Sequence, residues 1–216
     1  MEIPKDWTFH DQHIAEHFDN HVREQLPWYD LTTGIIAHIA RHYVPEGGVV
    51  YDVGASTGNI GRAIEDTIAN RNATLIAIDS SESMRSLYKG PGTFHVAMAE
   101  QFDFQPFDLC ICFLSLMFVS PAKRRTLLKN LRHLTNTGGA IVVFDKCVPK
   151  TGYVSTVLWR LALAGKIHNG AKAEDVIAKE LSLSGVQRPL DMKELNGAVE
   201  VFRFGDFAGW IIEASN

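Results

Sequence analysis

From residue 49 to residue 146 the chain repeats one pattern, a short apolar or β-branched run followed by a helix-length amphipathic stretch. This alternation constrains the fold more than any other feature. Strands separated by crossover helices lie parallel in one sheet, with helices packed on its faces. The runs are VVYDV (49–53), TLIAID (74–79), TFHVA (93–97), FDLCICFLSLMFV (107–119) and AIVVFDK (140–146); the fourth contains a strand apolar enough for the sheet centre. Between them, Ile60, Ala63, Ile64, Thr67 and Ile68 mark one helical stripe, and Ser80 or Ser81 is placed to cap a short helix. Pro121 suits the first turn of a third helix, which carries Leu127, Leu128, Leu131 and Leu134, and NTGG turns the chain into the fifth run.

The last third departs from this rhythm. Helices are expected over about 155–164 and 172–183, on either side of an HNG loop, followed by two alternating segments, VEVFRF (199–204) and AGWIIEA (208–214). Gly205 to Phe207 separates them at hairpin distance, so the expected α/β architecture is a parallel sheet closed by an antiparallel edge hairpin. With 216 residues, 46% of them hydrophobic, the chain can bury one sizeable core and is short for two. One domain is expected over 1–216, with an N-terminal helical region (1–46), a core half (47–146) and a variable C-terminal part (147–216).

Composition narrows the functional classes. No apolar stretch approaches the roughly 18 to 20 residues that span a bilayer, and the start is too polar for a secretory signal, which points to a soluble, cytoplasmic protein. Cys110, Cys112 and Cys147 form no CxxC pair and no zinc pattern, and read as reduced core residues. His13, His17 and His21 recur at helical spacing, as do His38 and His42; a polar helix face accounts for them, no third ligand is indicated, and no metal is expected. A formal charge of -4 gives no global footprint for nucleic acid. One basic run, Lys123, Arg124, Arg125, Lys129 and Arg132, leaves a nucleic-acid contact open beside the plainer reading of a solvated helix surface.

The chemistry concentrates in the turn after the first strand. Asp52-Val53-Gly54-Ala55-Ser56-Thr57-Gly58-Asn59 is a D-x-G-x-x-x-G loop between strand and helix, where glycine permits the tight turn and lets backbone approach a ligand that any Cβ would hit. Its spacing is looser than the GxGxxG of pyrophosphate sites and fits a ligand without phosphates. Asp79 ends the next strand, 25 residues after Gly54, where an acid can accept both hydroxyls of a ribose. Strand, glycine loop, helix, strand and acid stand in the order a nucleoside site requires. The bland alternative is two packing glycines and a helix-capping acid.

These features, with FDLCICFLSLMFV and NTGGAIVVFDK, resemble the successive motifs of class I S-adenosylmethionine (SAM)-dependent methyltransferases. A closer likeness lies outside the shared core. DWTF (6–9), IAEHF (14–18), LPWY (26–29), GGVVYDVGASTG (47–58), LSLMFVSP (114–121), GAIVVFDK (139–146) and KIHNG (166–170) are similar to segments of the carboxy-SAM synthase family. The resemblance spans about 6–183 and implies a Rossmann-like, seven-stranded class I methyltransferase fold. It implies SAM or its carboxy derivative as cofactor, prephenate as second substrate, a product used in tRNA wobble-uridine modification, and self-association as a homodimer. The aromatics Trp7, Phe9, Phe18 and Trp28 read first as core residues; the resemblance implies instead that they form a lid over the cofactor. The expected cofactor-binding set is Tyr29, Asp52, Gly54, Ala55, Ser56, Gly58, Asn59, Asp79, Ser80, Met84, Met98, Ala99 and Phe113.

Three departures from the family pattern stand out. Met98 replaces an acid after the third strand, Phe113 replaces an asparagine, and the helix carrying the family's carboxylate-holding arginine has no counterpart between Arg188 and the final strands. A carboxylate bound without a cation loses its charge-assisted hydrogen bonds, so Arg160, Arg188 and Arg203 are the candidate replacements. No nucleophile is indicated, and transfer from an activated sulfonium needs chiefly alignment. The leading reading is a carboxy-SAM synthase-like transferase. The alternatives are a conventional methyltransferase acting on a nucleic acid or small molecule, and a non-catalytic SAM-binding partner module.

Overall fold

The computed structural model describes residues 8–148 and 152–214; Asp6 and Trp7 of the N-terminal signature lie outside them. β1 (Val49–Val53), β2 (Thr74–Asp79), β3 (Thr93–Val96), β4 (Phe107–Phe113), β5 (Thr135–Lys146), β6 (Val199–Phe204) and β7 (Phe207–Glu213) form one seven-stranded sheet, ordered β3-β2-β1-β4-β5-β7-β6. The first five pair in parallel, and β7 runs antiparallel between β5 and β6. This is the mostly parallel sheet with a C-terminal antiparallel hairpin that the order of runs predicts.

Successive strand residues point to opposite faces, so a strand buried on both sides reads as an unbroken apolar run. Val50, Leu109, Ile111, Val142 and Phe144 meet α2 (Tyr29–Tyr43), α3 (Asn59–Ala63) and α4 (Glu65–Asn70) on one face. On the other, Tyr51, Val53, Cys110, Cys112 and Val143 share a core with Leu127, Leu128 and Leu131 of α6 (Pro121–Leu134). All three cysteines are buried and free.

Local details depart from the simplest sequence reading. The stripe from Ile60 to Ile68 forms two helices meeting at Ile64 rather than one, although Ile64 N–H to Ile60 O (3.1 Å) and Ile68 N–H to Ile64 O (3.0 Å) carry the ladder across the junction. NTGG does not precede β5 but lies inside it as a bulge, because pairing jumps from Phe107 opposite Thr135 to Leu109 opposite Ala140. Only glycine fits at 139, where a Cβ would stand 2.6 Å from the Asp108 carbonyl oxygen. The register of β6 on β7 also slips between Glu200 and Phe202. Beyond β5 lie α7 (Tyr153–His168) and α8 (Ala173–Ser182), each within a few residues of its expected span.

The basic run on α6 is not a single exposed face. Arg124 is turned inward, its side chain 1% exposed, and its Nε and Nη2 bond both carboxylate oxygens of Glu194 at 2.7 Å. Nη1 donates to the carbonyls of Leu116 and Arg188, and Nη2 also to that of Pro189. All five guanidinium donors are thereby met. Lys123 pairs with Glu100, and Arg132 donates to the Asn196 carbonyl.

Removing one partner of a buried pair leaves an uncompensated charge, so Arg124→Met is expected to lower stability by about 3–5 kcal/mol in chemical denaturation. The double variant Arg124→Met/Glu194→Met should recover most of that loss; no recovery would show that the carbonyl bonds, not the ion pair, carry the effect.

Candidate functional site

In the order β2-β1-β4 the chain crosses to opposite sides of β1, so the loops leaving the carboxyl ends of β1 and β4 diverge and open a crevice. A cavity of about 240 Å³ lies there. Gly54, Ala55, Ser56 and Asn59 line it from the glycine loop, Asp79, Ser80 and Met84 from the end of β2 and α5 (Glu82–Leu87). Met98 and Ala99 line it from the turn after β3, Phe113 from β4 and Tyr29 from α2.

Asp79 organises this end of the sheet. Its Oδ2 accepts the Ser56 N–H and its Oδ1 the Ser81 N–H, both at 2.9 Å. Burial pushes its carboxyl up, and the amides of Ser81 and Ser56 hold the shift in check. A carboxylate offers about four lone-pair sites, so these two bonds do not exhaust what Asp79 can accept. Gly54 (φ +79°) donates to the Ile78 carbonyl at 2.8 Å, and a Cβ there would come within 2.5 Å of the Ser115 side chain. Ser115 lines the cavity, and its buried Oγ has no hydrogen-bond partner among the described residues. An orphaned hydroxyl beside a glycine-tightened loop is what a site built for a polar ligand presents.

The N-terminal segment covers this crevice. Phe9 and Phe18 line the cavity, Phe18 from α1 (Gln12–Gln25). Thr57 Oγ1 donates to Asp19 of α1, Arg23 reaches Asn59 Oδ1 at 3.2 Å, and Ser81 Oγ donates to the Phe9 carbonyl at 2.6 Å. The Tyr29 ring packs on Phe113 with centroids 5.2 Å apart, under the Arg23 guanidinium at 5.2 Å; burial pushes its phenol up.

Two expected cofactor contacts do not reach the cavity. Gly58 (φ +89°) is a packing glycine, since a Cβ would stand 2.6 Å from the Gly90 nitrogen. Asp52 lies beneath the loop, 1% exposed, with neither carboxylate oxygen hydrogen-bonded. Burial first, then the charge of Asp79, push its carboxyl up to about 7; the Gly61 amide opposes the shift without meeting hydrogen-bond geometry. The candidate cations are elsewhere as well: Arg160 and Arg188 are exposed, and Arg203 is engaged by Glu200 and the Cys147 sulfur. Sequence reasoning passed over Ser115 and Glu100, which both line the cavity, although Ser115 stands inside the quoted LSLMFVSP segment. Among the described residues, no group of three His, Cys, Asp or Glu is placed to hold a metal ion, and no helix is long and apolar enough to cross a membrane.

Residues 50–139 match the family model described as a methyltransferase domain. The whole chain is similar to the carboxy-S-adenosyl-L-methionine synthase of Staphylococcus epidermidis, 29% identical over 212 residues that cover 96% of this chain and 92% of that one. Among solved structures, the plantazolicin methyltransferase in complex with SAH shares the fold with a TM-score of 0.63 at 12% identity, covering 94% of this chain and 90% of that one. The magnesium protoporphyrin IX methyltransferase of Synechocystis with bound SAH gives 0.59 at 15% identity, covering 89% and 86%.

The buried acid Asp52 has a pH signature. Its folded value near 7 exceeds the unfolded 3.8, so the folded state holds an extra proton between them and stability falls as pH rises through that window. Asp52→Asn is expected to remove this falling component, so that the melting temperature falls less, or rises more, between about pH 4 and pH 7 than in the parent; Asp145, also raised to about 7 by burial, adds a component of the same sign as Asp52, and His21, lowered to about 4 by burial, one of the opposite sign. An unchanged pH profile would show that Asp52 ionises freely.

Proposed function

We propose that this chain, a SAM-dependent transferase with a methyltransferase domain and a whole-chain similarity to carboxy-SAM synthases, makes carboxy-SAM from SAM and prephenate. The product would then be the donor for a tRNA wobble-uridine modification. The observation that carries the reading is the convergence on one cavity of the glycine loop, the strand-end acid Asp79 and Tyr29 of the N-terminal segment.

In this reading Asp79 accepts the two ribose hydroxyls with the lone pairs that Ser56 and Ser81 leave, while Met84, Met98 and Ala99 flank the adenine. The Ser115 hydroxyl and the backbone around Gly54 meet the amino-acid portion, and Tyr29 and Phe113 shape the inner wall. Bound SAM supplies a sulfonium that activates its attached carbons. The chain's own task is alignment and exclusion of water, done by the aromatic residues Phe9 and Phe18 over the crevice. Glu100 stands two residues past the position where the family's acid is replaced by Met98, and its ion pair with Lys123 at 3.1 Å holds it at the cavity rim.

Asp79→Ala is expected to weaken SAM binding, measured by calorimetry, by about 1–3 kcal/mol, the cost of losing a buried hydrogen-bond acceptor. Unchanged affinity would place the nucleoside elsewhere. Mass spectrometry of the small molecule retained by protein purified without added ligand tests the reaction itself. Carboxy-SAM is the expected species; SAM or its demethylated product alone would favour conventional methyl transfer to an acceptor.

A further inference from the structure

The cavity at the glycine loop is acidic. Among the described residues that line it are Asp79 and Glu100, and no lysine, arginine or histidine. Glu100 is held by Lys123 at the rim, whereas the two amides that bond Asp79 carry no full charge. A third acid lies beneath. Asp52 immediately precedes Val53 and Gly54, which both line the cavity, and it is 1% exposed with neither carboxyl oxygen hydrogen-bonded. A buried carboxyl without a donor is costly, and packing alone does not account for it, since an apolar side chain of similar size would fill the space at less cost. The one cation of α3, Arg62, is engaged elsewhere: it donates to the Thr57 carbonyl at 2.6 Å and pairs with Asp19 at 3.6 Å.

We propose that Asp52 is a specificity residue for the charge of the cofactor: it gives up its proton when a sulfonium occupies the cavity, and the carboxylate so formed favours SAM over the uncharged thioether S-adenosylhomocysteine (SAH). The proposal rests on the nucleoside reading of the cavity above. In this step the O–H bond of Asp52 breaks and the proton passes to the solvent; no bond forms to the ligand. Asp52 acts across the glycine loop by its field, which is why a side chain turned away from every loop contact can still read what the loop holds.

The charges around Asp52 fit this role. Burial, then the charge of Asp79, push its carboxyl up to about 7, so below neutral pH the free protein holds the proton. A cation brought within about 4–6 Å of a carboxyl makes it about tenfold or more easier to ionise, and salt screens such buried charges little. The field of Asp52 already reaches the cavity wall: burial, then Asp19, push the phenol of the lining residue Tyr29 up, Arg23 opposes them, and Asp52 adds to the rise. The ionisable groups facing Asp52 are Asp79 of β2, Tyr29 of α2, Cys112 of β4 and Tyr88 after α5, with the Arg62–Asp19 pair of α3 and α1 beyond them. The sign follows from linkage. SAM affinity rises as pH climbs from about 5 toward 7, because less of the free protein holds the proton that binding displaces. Asp79 meets the ribose of both ligands alike, so its titration cancels between SAM and SAH.

The test is calorimetric titration of the full chain with SAM and with SAH at about pH 6.5, in phosphate and in imidazole, whose different ionisation heats count protons. At this pH the amino group of either ligand, with an ordinary value of about 8, stays protonated. SAM is expected to release about half a proton more than SAH, and Asp52→Asn to abolish that difference while weakening SAM by about tenfold at neutral pH and SAH by less than about twofold. Equal proton counts for the two ligands, or an Asp52→Asn variant that weakens both alike, would overturn the proposal. Should Asp52→Asn fail to fold, the parent alone decides: its ratio of SAM to SAH affinity is expected to rise about tenfold between pH 5 and pH 7, and a flat ratio counts against the role of Asp52. Binding of neither ligand would remove the nucleoside reading and this inference with it, whereas binding of both with equal proton release removes the inference alone.

Discussion

The guanidinium of Arg124 ties the loop leaving β4 to the connections of the C-terminal third. A buried cation is tolerated only where every donor is met, and this one joins the carbonyl of Leu116, the carbonyls of Arg188 and Pro189, and the Glu194 carboxylate. Those three segments are the loop leaving β4, the connection after α8 and the short helix before β6. Arg188 N–H reaches Met117 O at 2.7 Å, so the first two are also joined directly. Phe118, on the loop leaving β4, faces the cofactor cavity. The Arg124 side chain thus adds to the pairing of β7 on β5 a second tie between the C-terminal third and the nucleoside half, at the loop leaving β4.

The N-terminal helix is fastened in a different way. Ile14, Ala15 and Val22 supply buried apolar area, while Asp19 and Arg23 reach Thr57 on the glycine loop and Asn59 and Arg62 on α3. Half-exposed ion pairs contribute only about 0–1 kcal/mol each. Their contribution is position: they fix which face of α1 lies over the crevice, and so bring Phe18 rather than a polar neighbour above it.

Much of this was legible in the residues, and the remainder has physical causes. Strand runs buried on both faces announced the parallel sheet, and Gly54 with Asp79 announced the crevice. Arg124 was misread as exposed because it sits in a run of cations, yet it stands three residues before Leu127 and seven before Leu131, on the same helical stripe as the buried leucines. Gly58 looked like a ligand-approach glycine; its conformation was anticipated, but the neighbour it admits is Gly90. Asp52 is adjacent in sequence to every loop contact and still turned away, because strand alternation sends its side chain under the loop.

Among the described residues β3 and β6 are the two edges of the sheet, and neither is a long straight ladder. β3 is four residues long. At the other margin the slip between Glu200 and Phe202 leaves Val201 without a residue opposite it, and the Glu200–Arg203 ion pair follows at once. A second chain seeking to extend the sheet would meet a bent strand and a charged pair, the two devices that blunt a β edge. The same irregularity that spoils the hairpin's symmetry therefore guards against unwanted lateral growth.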